Sequence, residues 1–471
     1  MTGADDRSQL AGLEWGGATQ YRSSGPERPD FAVAGPPRFQ RWARDVGHVV
    51  GVTPTARRLS IGWSAVQPHG AREWDREALG RCDRTLDLLL EEGLAPCLNL
   101  VHMDLPRWAD EPGGWLVRDT AERFAEYAAE MGRRFGDRVA RWVTVSDIAA
   151  PTLADRVAGM FGGDRGKGPA GVAAVHHALL GHGLALRALR GAGATGPAGL
   201  TTSLIAAYPA TDDPWDRLAA ERMEFWGNRL FLDPLLSGRH LVGEDGKSPV
   251  GDCGAVRPGD MDVIATPQDF LGVSWHAPHC VTAPENLPHL RDRLNSFREL
   301  MDVNRILAQL DFALVPFSDV ETTSYGWSIF PESLADGIAG LHDIYGDQLP
   351  PLHVTDHGLQ DNEILDAHGH PDHGRRRALL EAKLLWLQRI MQSGVEVRGY
   401  EYWSVFDNAY WKQRYARLYS GAVGGGALSF TKPTIPQQWV PRFTGALPEP
   451  AREPAAPARG ERREDPVGSR C

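Results

Sequence analysis

The chain has 471 residues, with 50 Lys and Arg against 61 Asp and Glu, and a formal net charge of −11 at pH 7. That negative balance argues against a nucleic acid or an anionic membrane surface as partner. No apolar run approaches the roughly 18 residues of a membrane span, and the length suits one large α/β domain.

In chain order, residues 1–10 are polar and are expected to be a flexible N-terminus. Leu13–Thr19 forms a first strand with a glycine turn, and after a Gly/Pro-rich passage residues 38–50 form a first helix. Arg57–Trp63 is a second strand. The helix predicted over 75–92 carries Leu79, Cys82, Leu86, Leu89 and Leu90 at helical spacing, an apolar stripe that needs a sheet to cover it. A strand at 95–102 follows. A helix over 119–135 then groups Phe124, Tyr127, Ala128 and Met131 on one face, and a fourth strand ends at Asp147. The second half repeats this rhythm, with helices near 170–190, 213–230, 331–345 and 375–393 and strands near 198–206, 269–275, 351–356 and 397–405. Strands alternating with helices of this length imply parallel βα units, and about eight strands close a barrel, so the fold expected is a single (β/α)8 TIM barrel over residues 11–445. From 446 to 471 the composition shifts to Pro, Ala, Arg and Glu, with too little apolar content to fold, and a disordered tail is expected.

The five cysteines (Cys82, Cys97, Cys253, Cys280, Cys471) are odd in number and show no CxxC spacing. They point to reduced thiols in a cytoplasmic protein, not to a disulfide framework or zinc site. Met1–Asp6 lacks the basic and apolar pattern of a secretory leader. His368, His370 and His373 resemble a metal tract, but a solvated loop explains them as well, and no metal or other cofactor is expected. Oligomeric state is not specified.

Two strands end in the same way. Trp142–Asp147 and Pro351–Asp356 are apolar, β-prone runs that each stop on an aspartate, where a barrel strand meets its C-terminal rim. A paired acid/base site is one explanation. The other is that each Asp caps a following helix, since Asp is a preferred N-cap.

The order of landmarks adds a resemblance. Arg58–Ser64, His102–Pro106, Gly113–Asp119, Phe135–Val139 before Trp142, His176-His177, Tyr208–Ala210, Phe231–Leu235, Phe270–Gly272, Gly326-Trp327 with Pro331-Glu332, and Gly394–Tyr400 before Trp403-Ser404 resemble glycoside hydrolase family 1 over roughly residues 13–440. The resemblance implies a (β/α)8 barrel and retaining β-glucosidase-type chemistry.

At the positions where that family keeps its machinery, the chain departs. The family's acid/base Asn-Glu-Pro is Ser146-Asp147-Ile148 here, and its nucleophile Thr-Glu-Asn-Gly is Thr355-Asp356-His357-Gly358. Arg22 stands in place of the family's sugar-gripping Gln, and Ser274-Trp275-His276 in place of Asn-Tyr-Tyr, whose tyrosine touches the nucleophile. Ala409-Tyr410-Trp411 replaces Phe-Glu-Trp, removing another sugar grip, while Arg58, His102, Trp403 and Trp411 match.

Retaining glycosidases place their carboxylates about 5–5.5 Å apart, and inverting ones about 6.5–9.5 Å apart with water between. Two Glu-to-Asp changes on the same backbone open the pair by roughly 1–2 Å, toward the water-accommodating range. The expected chemistry is therefore general acid and general base work by Asp147 and Asp356 on a glycoside or sugar-like molecule. Arg22, Arg58, His102, Ser146, Ser274, His276, Trp403, Tyr410 and Trp411 are the expected supporting residues. A barrel repurposed for cyclisation, hydration or elimination in specialised metabolism is the alternative, and a non-catalytic binding relative is a third.

Overall fold

The computed structural model describes residues 13–18, 55–102, 105–149, 152–153, 171–240, 248, 250, 253–290, 303–305, 307–318, 320–322, 328–357 and 374–403. The expected helix at 38–50, the His-rich stretch and the C-terminal tail lie outside them, as do Arg22, Tyr410 and Trp411.

Eleven strands are described: β1 (Glu14–Ala18), β2 (Ala56–Ser60), β3 (Ala95–Val101), β4 (Arg141–Val145), β5 (Ala198–Ser203), β6 (Ala207–Pro209), β7 (Phe270–Ser274), β8 (His279–Thr282), β9 (Ala313–Val315), β10 (Leu352–His357) and β11 (Val397–Trp403). Eight of them close a barrel in the order β1-β11-β10-β7-β5-β4-β3-β2, and every pairing in it is parallel. Parallel strands are covered on both faces, which explains why β4 and β10 are buried along their whole length.

The connecting helices are α1 (Arg76–Glu91), α2 (Arg118–Phe135), α3 (Ala173–Gly191), α4 (Pro214–Glu224), α5 (Ser333–Tyr345) and α6 (Gly374–Gln392). Helix α1 starts where Asp75 caps the Ala78 amide at 2.8 Å, and its buried stripe is the predicted one without Leu90, which is exposed. On α2, Phe124 and Tyr127 pack with Trp63, the Tyr127 ring stacked on it at 5.3 Å.

Several boundaries differ from expectation. The strand expected to reach Trp63 stops at Ser60, and Trp63 opens a short helix, Trp63–Val66. The strand expected to reach residue 206 stops at Ser203, and Ala207–Pro209 joins a second sheet, β6-β8-β9. The helix expected to reach 230 becomes a π turn over Phe225–Arg229, where Asn228 bonds both the amide and the carbonyl of Ile205. Strands β6 and β8 follow a few residues after the ends of β5 and β7, so the small sheet stands at the C-terminal face of the barrel.

Candidate active site

Both strand-end aspartates have left-handed backbone, φ 52° at Asp147 and φ 52° at Asp356. Asp is among the few residues besides glycine that tolerate this region. At Asp356 the bend has a visible effect. His353 points into the barrel toward Arg141, Val354 points out into the core and Thr355 points in toward Ser274. Strict alternation would send Asp356 outward. Instead the register against β11 shifts between Val354 and His357, and the bulge turns Asp356 inward to Arg58 while His357 meets the outward Tyr400 hydroxyl.

Asp356 is 1% exposed, and Arg58 Nη2 lies 2.5 Å from its Oδ1. Ser274 Oγ adds a 3.4 Å contact to Oδ2. Burial alone would raise the carboxyl pKa, but the Arg58 charge outweighs it, with His102 and His276 acting in the same direction, so Asp356 is held below the ordinary carboxylate value. Asp147 is half-buried, its Oδ1 accepts from Ser203 Oγ at 2.5 Å, and its amide donates to Thr201 Oγ1 at 2.7 Å. These bonds tie Asp147 to β5, the neighbouring strand of the barrel.

The two acids are linked through the intervening strands. Asp147 follows β4 and Asp356 lies in β10, with β5 and β7 between them. Ser203 of β5 and Ser274 of β7 are register partners, one bonded to each aspartate. Arg58 closes the other side, donating from Nη1 to Ser146 Oγ at 3.1 Å while Nη2 holds Asp356. The structure thus brings Asp147, Asp356, Arg58, His102, Ser146, Ser274 and His276 to one end of the barrel. Trp403 ends β11, with only its backbone described. Among the described residues no group of three or more His, Cys, Asp or Glu is arranged to hold a metal ion.

Residues not anticipated from the sequence complete the surroundings: Thr201 and Ser203 beside Asp147, and Glu401, Arg141 and His353 beneath Arg58. Glu401 Oε2 accepts from Arg58 Nε at 2.5 Å and Oε1 from Arg141. Arg141 Nη1 contacts Glu14 Oε1 at 2.8 Å and His353 Nδ1 at 2.6 Å. The alternation of β11 carried the available signal, since Glu401 is flanked by two tyrosines that face the other way.

The closed parallel barrel thus carries two carboxylates at the ends of its strands, with an arginine pinning one of them. The comparisons give the family: the Glycosyl hydrolase family 1 profile matches residues 26–422, and the chain belongs to that family. It is similar to a thermostable beta-glucosidase B from Thermobispora bispora, 34% identical over 380 residues that cover 80% of this chain and 74% of that protein. A bifunctional beta-D-glucosidase/beta-D-fucosidase from Bifidobacterium breve is 31% identical over 400 residues, 81% of each chain. Among solved structures, a psychrophilic beta-glucosidase from Micrococcus antarcticus superposes with a TM-score of 0.72 at 29% identity, covering 87% of this chain and 91% of that one.

Proposed function

We propose that this family 1 protein is an enzyme that cleaves a β-linked glycoside or sugar-like small molecule by acid/base chemistry, with Asp356 as the ionised base and Asp147 as the general acid. The observation that carries this reading is the contrast between the two carboxylates. Asp356 is 1% exposed and tied to Arg58, whereas Asp147 is half-buried and its carboxylate has one serine donor among the described residues. An anion drawn back onto a buried arginine suits activation of a water better than direct attack on a sugar carbon. Asp147, nearer to solvent, suits proton delivery to a leaving oxygen. The beta-glucosidase and beta-fucosidase names of the relatives support an aryl β-glucoside or β-fucoside as first substrate. The four described cysteines are free thiols, three of them buried, which supports a reducing, cytoplasmic setting.

The test is turnover of an aryl β-glycoside panel by the wild type, Asp147→Asn and Asp356→Asn. Each substitution is expected to lower kcat by about 10²–10⁴-fold, the usual contribution of one acid or base. Unchanged turnover in either variant would falsify its role. An activated fluorosugar is expected to leave no adduct on Asp356, and mass-spectrometric detection of a glycosylated Asp356 would replace the water route with a covalent one.

A second reading draws on His102 and His276, which both act electrostatically on Asp356. Imidazoles beside a fixed carboxylate suit proton shuffling in a cyclisation, hydration or elimination on a specialised metabolite. It is favoured if no glycoside is turned over while both Asn variants lose the same cellular product.

A further inference from the structure

The barrel interior beneath Asp356 is charged along its axis. Arg58, Glu401 and Arg141 are 2%, 2% and 4% exposed and form one chain of contacts, Asp356–Arg58–Glu401–Arg141–Glu14. It runs from the C-terminal rim to β1 and draws residues from five strands, β10, β2, β11, β4 and β1. Two arginines face two buried carboxylates, so the buried part is neutral when Asp356 and Glu401 are both ionised. Glu14 at the far end is 37% exposed in its side chain and shares its charge with solvent.

We propose that Glu401 and Arg141 are positioning residues for the Arg58–Asp356 pair: Glu401 occupies the Nε edge of Arg58 and Arg141 holds Glu401, which leaves both Arg58 Nη atoms for Asp356 and Ser146. A guanidinium offers five donors in a rigid planar fork, so fixing one edge fixes the direction of the other. Without a carboxylate at Nε, Arg58 has a buried donor to satisfy and a reason to turn. Without Arg141, Glu401 has Arg58 as its only described cation and competes with Asp356 for it. Arg141 is itself held by Glu14 from β1, by His353 from β10 and by the Phe270 ring of β7, 5.6 Å from its guanidinium carbon, with the Cys97 thiol of β3 beside it. Among the described residues, the groups acting on Asp356 from its own surroundings are Arg58 of β2, His102 after β3, and Ser274 and His276 at and after β7.

This inference deepens the acid/base reading above, but its main test does not need turnover. The midpoint of Asp356 protonation is followed by carbon NMR of protein labelled at the aspartate carboxyl carbons, with the resonance assigned by its loss in Asp356→Asn. Arg141→Met is expected to move the midpoint to higher pH, because Glu401 then draws on Arg58. Adding Glu401→Gln to Arg141→Met is expected to move it back toward the wild type, because the competitor and its partner are removed together and no buried charge is orphaned. A ladder that only braces the barrel would give no upward shift in Arg141→Met, or a double variant shifted as far as the single one, and either result overturns the proposal. Should Arg141→Met not fold, Arg141→Lys keeps the charge but loses the fork that reaches Glu401 and Glu14 at once. An upward midpoint is expected there too, and an unmoved one overturns the proposal. Where glycoside turnover exists, the acid limb of kcat/KM is expected to follow the same order. The NMR order without the kinetic one would support the positioning role and count against Asp356 as the base.

Discussion

Arg58 is the residue on which the candidate site depends most. Burial works against its charge, but Asp356 and Glu401 together outweigh that cost and hold its pKa above the usual arginine value. Removing one partner of a buried ionic group costs more than the group contributes while intact. Arg58→Met therefore leaves two buried carboxylates without their shared cation and is expected to lower stability by about 3–5 kcal/mol, measured by urea unfolding. A loss below about 1 kcal/mol would mean that the carboxylates had relaxed to solvent. Arg58 and both aspartates were legible in the sequence because each sits in a run with its own pattern, a strand landmark or a strand-end acid. Glu401 was not, although it lies between two landmarks, Gly394–Tyr400 and Trp403-Ser404. A lone acid in a strand gains meaning only when the barrel shows which face points inward.

At the scale of elements, β10 and β11 are fitted to the charged interior by an absent side chain. His353 and Gly399 are register partners, and a Cβ on Gly399 would lie 2.2 Å from His353 Nδ1. That is the atom Arg141 contacts, so Gly399→Ala pushes directly on the ion chain. Overpacking of this kind is expected to cost about 1–3 kcal/mol in chemical denaturation, and His353→Ala added to Gly399→Ala should recover part of it. An undiminished loss in the double variant would locate the strain elsewhere. The barrel strands and the helices around them were legible because periodicity switches between two and 3.6 residues along the chain. The β6-β8-β9 sheet was not, since strands of three or four residues carry too few alternations to register.

For the whole molecule, buried neutral histidines set the response to acid. His182 is fully buried with Nδ1 on the Thr144 hydroxyl at 2.6 Å, and burial pushes its pKa down to about 3. Burial similarly brings His240 to about 4, with His176 adding to it, and His353 to about 2, where Arg141 adds to it. A histidine depressed in the folded state contributes stability that is present above its unfolded pKa of about 6.5 and is lost as pH falls toward the folded value. The lowered carboxyls Asp260 and Asp356 act in the same direction at the acid end. The thermal midpoint is expected to fall steadily as pH drops below about 6.5. His182→Gln, which removes one titration, should flatten that slope, and a curve parallel to the wild type would show that His182 does not contribute to it.

The left-handed bend shared by Asp147 and Asp356 also determines which substitutions can be interpreted. Asn adopts φ near 52° as readily as Asp, so the Asn variants remove a charge and leave the chain trace alone. Glu has no such tolerance, and a longer acid at either position would add a methylene and a backbone penalty together. Exchanging both aspartates for glutamates is therefore not a simple extension of two side chains. Such an exchange would have to reshape both strand ends before the longer acids could be accommodated.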